Sequence, residues 1–421
     1  MKLTFSFLAS LSLASALVSY DGWKVVRVDT RNDVDLVRAR LASIDYDEWS
    51  QEDSYLDIAI PGNQILTFGS LGLDSYVLHE DLGRSIAAES APRQLWKRQA
   101  DDLSWFDSYH SYEDHKAYFE SLHEAFPDNS EIVSTGTSYE GRDIWGIHFW
   151  GADGPGKPAV LWHGTVHARE WIAAPVIEYL TLQLIQGYGS NGNITKFVDD
   201  YDFWVFPFVN PDGFVYTQTT ERLWRKNRQP NSGNTTCVGR DLNRNWPHKW
   251  DANDLGASKD PCSNTYRGEE PIDTPEIQGL RKLVDKLGKT SGIKLYIDWH
   301  SYSQYLLAPV GYSCTKYIDN LGQHINLASR ASKAIRAVEG VQYTFGPSCT
   351  VLYPSTGYSI DYVYEVGKAD WAYLIELRDT GNHGFVLPPE QIIGTAKEQW
   401  AGIQVALSLL DEVFFDGVGP A

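Results

Sequence analysis

The sequence predicts an α/β protein with a mixed, mostly parallel central sheet flanked by helices, preceded by a small α+β unit. Short apolar runs typical of buried strands recur from residue 143 to residue 377, and helical segments fall between or after them. A polar, small-residue segment separates this region from an amino-terminal stretch with strands of its own. Because strands that alternate with helices pack those helices against both faces of one sheet, we expect a largely buried sheet.

The composition is that of a folded protein with ample material for a core. The chain has 421 residues, of which 43% are hydrophobic and 13% aromatic, and this excludes a disordered or fibrous protein. Its length exceeds that of one typical domain, so we expect one large domain and a smaller unit. The formal net charge of -19 argues against nucleic acid as a partner, because phosphate binding requires a basic face.

Residues 1–18 have the features of a secretory signal peptide. Lys2 precedes a short apolar run, and the small residues 14–16 form a cleavage site. The run is too short to span a bilayer, and no other stretch reaches about 18 apolar residues, so no membrane anchor is expected. We therefore expect a secreted, extracellular protein whose four cysteines form disulfides, in one of three pairings. Asn193 and Asn234 begin glycosylation acceptor triplets, which fits that route.

Residues 19–98, here called the amino-terminal unit, are expected to form the small α+β unit. Sequence periodicity predicts strands at 22–28, 54–60 and 74–79, and helices at 33–41 and 65–71. The polar segment 87–100 then carries the dibasic pair Lys97 and Arg98. Such a pair is either an ordinary solvated pair or a processing site, and the signal peptide favours processing.

The second domain, residues 99–421, accounts for the larger sheet. A helix is predicted at 112–125 and a strand at 143–150. Further strands are predicted at 159–162, 203–209, 295–299 and 372–377, and further helices at 172–186, 274–287, 323–338 and 389–412. In an open α/β sheet of this kind, ligands bind at the edge where the strands end and the helices begin.

Two strand ends carry side chains that can bind a metal ion. His167 and Glu170 lie on the connection that follows the strand at 159–162, and His300 follows the strand at 295–299. An imidazole nitrogen and a carboxylate oxygen three residues apart can both lie about 2 Å from one zinc ion. Any one histidine at a strand end is more often a hydrogen-bonded structural residue, so the zinc hypothesis depends on the motifs that accompany these three residues.

Further motifs follow in a fixed order along the second domain. They occupy residues 200–213, 223–228, 241–246 and 300–304, then 353 with 359–361, and finally 375–381. In this order and spacing they resemble the pancreatic-type zinc carboxypeptidases, the carboxypeptidase A and B family, from about residue 105 to about residue 412. The resemblance implies the zinc carboxypeptidase fold, one catalytic Zn²⁺ per chain, and hydrolysis of the C-terminal peptide bond of peptides and proteins.

The resemblance assigns the metal ligands and the general base. His167, Glu170 and His300 match the zinc ligands, which leave a fourth position for water. Two neutral imidazoles and one carboxylate leave such a site net positive, which favours a water nucleophile at neutral pH. Glu376 matches the base that takes the proton of the water and passes it to the departing amine. The alternative role for Glu376 is that of a structural partner for Arg378.

Other residues match family positions that contact the substrate. Arg225 matches the arginine that stabilises the oxyanion of the tetrahedral intermediate, and Asn243 and Arg244 match the pair that binds the terminal carboxylate. A guanidinium that binds a chain-end carboxylate with two hydrogen bonds implies an exopeptidase. The remaining matches are Tyr353, which closes over that carboxylate, and Arg169 and Tyr302, which form subsites further along the peptide. We also expect Asp241 to orient His167, because a metal-bound histidine commonly has a carboxylate partner.

The pocket for the last side chain of the substrate is expected to be apolar. Ile360 aligns with the position that is apolar in A-type enzymes and aspartate in B-type enzymes, and Leu307 also matches a pocket position. A buried cationic side chain would find no counter-ion there, so we expect an A-type preference for apolar or aromatic C-terminal residues. Leu374, Ser348 and Tyr358 depart from A-type enzymes, which favours side chains of middle size.

The resemblance also implies two disulfides and an inactive precursor. Cys237 with Cys262 matches the usual bridge of the family, and Cys314 with Cys349 matches a second bridge seen in some members. The amino-terminal unit resembles the pro-segment of the family by size and position, an antiparallel sheet with two helices that covers the active-site cleft. We therefore expect a zymogen that is activated by a processing protease at or near Lys97 and Arg98.

Two other classes of function fit part of the pattern. A non-catalytic binding protein on the same fold would lack a metal ligand or the base, and none is missing from this sequence. A zinc amidohydrolase or deacylase could use the same three ligands, but Tyr353 and the arginines for a terminal carboxylate argue against it. Nothing in the sequence indicates more than a monomer.

Overall fold

A computed structural model describes residues 17–52, 54–90, 103–233 and 235–412. Nearly all of the expected signal peptide, the dibasic pair Lys97 and Arg98, and the acceptor Asn234 lie outside these ranges. The described strands form a four-stranded sheet near the amino terminus and an eight-stranded sheet in the second domain. Each helix in the described ranges is too short or too polar to cross a membrane.

The amino-terminal unit is a four-stranded antiparallel sheet with helices, in the strand order β2-β3-β1-β4. Asp33 and Asp81 cap two of its helices, because their carboxylates accept hydrogen bonds from backbone N–H groups in the first turn. Its elements are β1 (Lys24–Asp29), α1 (Val34–Leu41), β2 (Asp47–Gln51), β3 (Tyr55–Ile60), α2 (Ile65–Ser70), β4 (Ser75–His79) and α3 (Leu82–Glu89).

The second domain is built on a mixed sheet in the order β11-β10-β12-β9-β7-β8-β6-β5. Its four central strands, β12, β9, β7 and β8, run parallel, while antiparallel pairings lie toward both edges. The strands are β5 (Ser130–Thr137), β6 (Asp143–Phe149), β7 (Ala159–Gly164), β8 (Asp202–Phe206), β9 (Ile293–Ser301), β10 (Tyr305–Ala308), β11 (Thr344–Pro347) and β12 (Trp371–Leu377).

Helices cover both faces of this sheet. Alternate side chains of a strand point to opposite faces, and in β7 Val160 and Trp162 enter one core cluster while Ala159 and Leu161 enter another. The predicted α/β fold is therefore confirmed. The helices are α4 (Tyr112–Ala125), α5 (Ala173–Gly187), α6 (Gly192–Asp200), α7 (Pro211–Thr219), α8 (Pro275–Lys289), α9 (Leu321–Glu339), α10 (Ser348–Val351), α11 (Ser359–Glu365) and α12 (Ile392–Leu409).

The amino-terminal unit packs against the second domain through a shared apolar cluster. Trp49 of β2 contacts Phe385 with ring centroids 5.4 Å apart, and Tyr302 packs on the same Phe385 ring at 5.0 Å. Both sides of the contact contribute fully buried side chains, so it excludes water. The cluster comprises Tyr20, Val25, Trp49, Ala59 and Leu82 from the unit, with Leu223, Tyr302, Phe385 and Val386 from the second domain.

Candidate active site

Three neighbouring strands of the central sheet end at one edge, and each carries an ionisable side chain there. His167 follows β7, His300 lies near the end of β9, and Glu376 lies in β12 directly opposite His300. Because these strands are parallel and adjacent, residues far apart in sequence meet at the carboxyl edge of the sheet. The local fold thus explains why the candidate residues converge.

His167, Glu170 and His300 form a buried cluster whose ligand atoms all lie within 4.8 Å of one another. The Nδ1 atoms of the two histidines are 3.0 Å apart and lie 2.8 Å and 2.9 Å from the two carboxylate oxygens of Glu170. A tetrahedral zinc ion with bonds of about 2.0–2.2 Å holds its ligand atoms about 3.3 Å apart. Two nitrogens and one carboxylate at this spacing fit a single zinc ion.

The other nitrogen of each histidine contacts a buried carboxylate. His167 Nε2 lies 3.1 Å from Asp241 Oδ1, as the sequence analysis expects, and His300 Nε2 lies 2.8 Å from Asp298 Oδ1. A carboxylate at Nε2 keeps the proton on that nitrogen, which leaves the lone pair of Nδ1 facing the shared position. Asp298 was not predicted from the sequence, although its position two residues before His300 places both side chains on one face of β9.

Glu376 stands beside this cluster without a partner of its own. Burial raises the pKa of Glu376 to about 8, while His300 and Arg225 oppose that rise. Across the described ranges its carboxylate forms no hydrogen bond or ion pair, whereas Arg378 pairs with Glu398 and Glu339. Glu376 is therefore not the structural partner of Arg378, and its carboxylate is available at the cluster.

Arg225 is held next to the cluster by the loop that carries the histidine and by Asp241. The backbone N–H of Ala168 donates to the carbonyl of Arg225 at 3.0 Å. The guanidinium donates to Asp241 at 2.9 Å, and its Nη1 lies 3.6 Å from Glu170. Although burial opposes the effect, Arg225 and His167 hold the pKa of Asp241 well below its ordinary value. A fixed positive charge therefore borders the cluster.

Asn243 and Arg244 lie on a short helical turn that Asp241 caps by accepting from the N–H of Asn243. The Nη1 of Arg244 donates to the carbonyl of Asn243 at 2.8 Å, and its Nε has no hydrogen-bond partner although it is buried. Among the described residues the guanidinium of Arg244 contacts the carbonyl of Asn243 and the ring of Tyr358, and it forms no ion pair with an acidic side chain. A buried guanidinium with open donors is suited to bind a carboxylate.

These residues share one cavity of about 50 Å³ that adjoins a cleft of about 1070 Å³, and Arg225, Arg244 and Tyr353 line both. The apolar side chains at the cavity are Leu352, Tyr358, Leu374, Trp49 and Phe385. Leu307 and Ile360 do not line it: both are fully buried and pack in one core cluster with Tyr358 and Leu374. The two predicted pocket residues thus lie behind the cavity wall.

The two predicted subsite residues contact the amino-terminal unit. Arg169 donates to Asp47 at 3.1 Å and to the carbonyl of Glu48 at 3.3 Å. The hydroxyl of Tyr302 donates to Asp57 at 2.9 Å. Residues 49–51 of β2 line the cavity itself, so this edge strand lies over the candidate site.

The disulfides and the described glycosylation acceptor lie outside the cluster. Cys237 bonds to Cys262 and Cys314 bonds to Cys349, which is the pairing that the resemblance implies. The first bridge borders the large cleft. Asn193 is exposed in the first turn of α6.

Comparisons with known proteins agree with this geometry. A family model described as zinc carboxypeptidase matches residues 115–402. Metallocarboxypeptidase A of Trichophyton equinum is 44% identical over 410 residues, which cover 95% of this chain and 96% of that protein. Carboxypeptidase A4 of Mus musculus is 34% identical over 400 residues, which cover 92% of this chain and 93% of that protein.

A solved structure extends the likeness to the amino-terminal unit. The crystal structure of thrombin activatable fibrinolysis inhibitor has a TM-score of 0.84 and 27% identity, and the match covers 93% of this chain and 99% of that one. The family match spans the strands and loops that carry His167, Glu170, His300 and Glu376. The chain belongs to the zinc carboxypeptidase family and is a metallocarboxypeptidase, a peptide hydrolase.

Proposed function

We propose that this chain is a secreted, zinc-dependent exopeptidase that removes the C-terminal residue of peptides and proteins and prefers apolar or aromatic side chains there. The observation that carries the proposal is the convergence of His167, Glu170 and His300 in one cavity with Glu376, whose carboxylate has no polar partner among the described residues. Arg244, with an unpartnered Nε, lines the same cavity. One site thus offers metal ligands, a base and a receptor for a chain end.

The chemistry divides between the metal and the side chains around it. His167, Glu170 and His300 would hold a zinc ion, which when bound would supply Lewis-acid activation of water and of the scissile carbonyl. Glu376 accepts the proton of the attacking water and delivers it to the departing amine. Arg225 places its positive charge where the carbonyl oxygen becomes negative, and its hydrogen bonds to Asp241 hold it in place before the reaction.

Binding of a free chain end follows from the charges beside the cluster. Asn243 and Arg244 hold the terminal carboxylate, and Tyr353, which is half-buried at the junction of cavity and cleft, closes over it. A peptide bond in the middle of a chain has no carboxylate for this pair. The desolvated guanidinium would then remain unpaired, which disfavours internal cleavage.

The cavity wall supports an A-type preference. Leu352, Tyr358 and Leu374 offer no negative charge to a lysine or arginine side chain, and Ile360 and Leu307 behind them offer none either. The small size of the cavity and the Tyr358 ring favour aliphatic and mid-sized side chains over tryptophan. A profile of peptides that differ only in the last residue would contradict this preference if lysine or arginine were released fastest.

We also propose that the chain is a zymogen, with a signal peptide at 1–18, a pro-segment at 19–98 and the catalytic domain at 99–421. The contacts of Asp47, Asp57 and Trp49 with residues of the candidate site support an inhibitory amino-terminal unit. Processing at or near Lys97 and Arg98 would separate it. Amino-terminal sequencing of the active secreted form tests this, and full activity of the uncut chain would contradict it.

The proposed compartment follows from the chemistry of the cysteines. Two disulfides support an oxidising, extracellular location, and we expect N-glycans at Asn193 and Asn234 on a monomeric secreted protein. Mass spectrometry of the secreted protein before and after glycosidase treatment tests the two acceptors. Unmodified peptides containing both asparagines would contradict the glycan assignment.

The central test uses a blocked dipeptide with a free C-terminus and its C-terminal amide as the matched control. We expect hydrolysis of the free acid only, inhibition by 1,10-phenanthroline, and recovery on addition of Zn²⁺. Equal cleavage of the amide, or of an acylated amine without a terminal carboxylate, would favour a deacylase instead. Absence of hydrolysis in the zinc-loaded, processed protein would favour a binding protein.

A further inference from the structure

Asp298 is a buried carboxylate at the junction of the metal ligands and the chain-end receptor. It is 0% exposed in β9, two residues before His300. Its Oδ1 lies 2.8 Å from His300 Nε2 and 3.3 Å from His163 Nδ1. Its Oδ2 accepts hydrogen bonds from Ser359 Oγ at 2.5 Å and from Asn243 Nδ2 at 3.1 Å.

We propose that Asp298 is a positioning residue that sets the metal-binding tautomer of His300 and, through its other oxygen, fixes the orientation of Asn243. The proposal rests on the function proposed above. It links two tasks that the site must perform together, because one carboxylate holds both a metal ligand and a residue that binds the terminal carboxylate of the substrate.

The first half of the proposal follows from the two nitrogens of His300. Nδ1 faces Glu170 at 2.9 Å and His167 at 3.0 Å, which is the side from which a metal would bind. Nε2 lies 2.8 Å from Asp298 Oδ1 and 3.2 Å from Asn243 Nδ2; the nearer group, an ionised carboxylate, can only accept and so favours the proton on Nε2. The lone pair of Nδ1 then points toward the shared position, and the negative charge of Asp298 makes that nitrogen a stronger ligand.

The second half follows from the amide of Asn243. Its Nδ2 donates to Asp298, and its Oδ1 accepts from the backbone N–H of Ser359 at 3.0 Å. The amide therefore has a fixed orientation between Asp298, the backbone N–H of Ser359 and His300 Nε2, which lies 3.2 Å from Nδ2. Removal of Asp298 would take the acceptor away from both the amide of Asn243 and the hydroxyl of Ser359.

A buried aspartate beside a histidine does not by itself indicate a positioning role at a metal site. The chain contains a second such pair that can serve as a control. Asp202 Oδ2 lies 3.4 Å from His148 Nε2, and both residues are buried. Asp202 begins β8 opposite Ala159, the first residue of β7, and so lies at the sheet edge away from the metal ligands. Asp202→Asn is therefore a control with the same chemical change in a comparable environment.

The test measures zinc affinity of the full chain by competition with a chelator, for Asp298→Asn, Asp241→Asn and Asp202→Asn. Loss of a carboxylate that supports a metal-bound histidine typically weakens metal binding roughly 10- to 100-fold. We expect that loss for Asp298→Asn and Asp241→Asn and wild-type affinity for Asp202→Asn. The visible absorption of the Co²⁺-loaded protein should change in Asp298→Asn and not in Asp202→Asn.

The two oxygens of Asp298 predict a further difference between the variants. In the active protein, Asp298→Asn should raise KM for a dipeptide substrate more than Asp241→Asn does, because Asp298 accepts from the side chain of Asn243 whereas Asp241 accepts from its backbone N–H. Asp298→Ser serves as a second variant if the asparagine variant does not fold, with the same expected losses of zinc affinity and of substrate binding.

The outcomes separate the inference from the function on which it rests. Wild-type zinc affinity and an unchanged Co²⁺ spectrum in Asp298→Asn, with only a lower Tm, would overturn the positioning role and leave a structural one. Failure of the wild-type chain to bind zinc would instead overturn the proposed function. Weaker zinc binding in Asp202→Asn as well would also count against the inference, because the effect would then not be specific to Asp298.

Discussion

Two buried clusters of histidine and glutamate in this protein differ in how their polar atoms are satisfied. In the first, His115 Nδ1 lies 2.5 Å from Glu178, and the indole N–H of Trp105 donates to the other oxygen of Glu178 at 2.8 Å. In the second, around Glu170, each carboxylate oxygen faces a histidine Nδ1, and the two Nδ1 atoms also face each other at 3.0 Å.

The difference shows what distinguishes a site from a structural ion pair. The carboxylate of Glu178 is satisfied by donors that belong to the fold. At Glu170 the anchoring carboxylates Asp241 and Asp298 place the histidine protons on the remote nitrogens, so lone pairs converge on one point. Lone pairs that converge in a buried place repel one another unless a cation lies between them. Both clusters are buried and pair a histidine with a glutamate, but lone pairs of several side chains converge on one point only in the cluster around Glu170.

The largest expected difference in zinc content and activity is between the Glu→Gln variants of the two clusters, Glu170→Gln and Glu178→Gln. Glu170→Gln removes the charged ligand, so we expect loss of zinc and of peptidase activity with the fold retained. Glu178→Gln should retain zinc and lower the free energy of unfolding by about 1–3 kcal/mol, because a buried polar group loses a partner. Metal analysis and thermal unfolding check both variants, and zinc loss from Glu178→Gln would break the comparison.

Glu376→Gln separates metal binding from proton transfer within the active cluster. The amide cannot accept the proton of the water, so kcat should fall about 10²- to 10⁴-fold, the usual contribution of a general base. Zinc affinity should stay close to that of the wild type, because Glu376 is not one of the three ligands. Steady-state kinetics with measured zinc content check this, and nearly unchanged kcat would exclude Glu376 as the base.

Arg244→Gln tests whether the open guanidinium recognises a chain end. Hydrogen bonds to charged groups contribute about 1.5–3 kcal/mol each, so losing one or two should lower kcat/KM roughly 10- to 10⁴-fold, mainly through KM. Arg228 also lines the cleft, but it stacks on Tyr216 with its guanidinium carbon 3.6 Å from the ring centroid. Arg228→Gln is the control, and equal losses in the two variants would argue against a specific role for Arg244.

The smallest effect is expected for His324, whose ring nitrogens contact backbone groups of Asn320 and Ala372 rather than a carboxylate. Burial lowers its pKa to about 4, against an ordinary value of about 6.5 in an unfolded chain. Between these values the unfolded chain binds a proton that the folded chain does not, so stability falls as pH falls from about 6.5 to about 4. The full contribution is up to about 3.5 kcal/mol at about 1.4 kcal/mol for each unit of pKa.

His324→Gln should therefore reduce the loss of stability in acid. The side chain is enclosed by Trp371, Tyr364 and Tyr373, and its Nε2 accepts from the backbone N–H of Ala372, so glutamine can supply a comparable acceptor. Thermal unfolding at pH 7 and at pH 4.5 gives the measurement. A drop in Tm that is the same in the variant and the wild type would exclude His324 as a source of acid sensitivity.

The sequence predicted the centre of the fold and missed its edges, for a physical reason. Central strands such as β7 and β9 are buried on both faces, so their sequences are apolar runs that predict a strand. The edge strand β2 has the polar sequence Asp47–Gln51, which does not predict a strand by itself. The four-residue strands β10 and β11 are too short to show a period. Their pairing is determined by the neighbouring strands rather than by their own residues.

The sequence motifs predicted which residues meet at the candidate site, but they did not predict contacts that depend on packing. His167, Glu170 and His300 meet as expected, and Asp241 contacts His167. Ile360 and Leu307 stay predicted pocket residues, and they lie in a core cluster with Tyr358 and Leu374, which line the cavity. Whether a residue lines a cavity or lies behind its wall depends on packing that the sequence alone does not report.

The contacts of the amino-terminal unit have a consequence for the proposed processing of the chain. Glu89 at the end of α3 forms two hydrogen bonds of 2.7 Å with Arg222, and both side chains are buried. The residues that form this contact and the apolar cluster around Trp49 lie outside the proposed processing site at Lys97 and Arg98. If the chain is cut there as proposed, these contacts would still hold the two fragments together, and release of the peptidase would require dilution or destruction of the smaller fragment. Activation would then depend on dissociation as well as on cleavage.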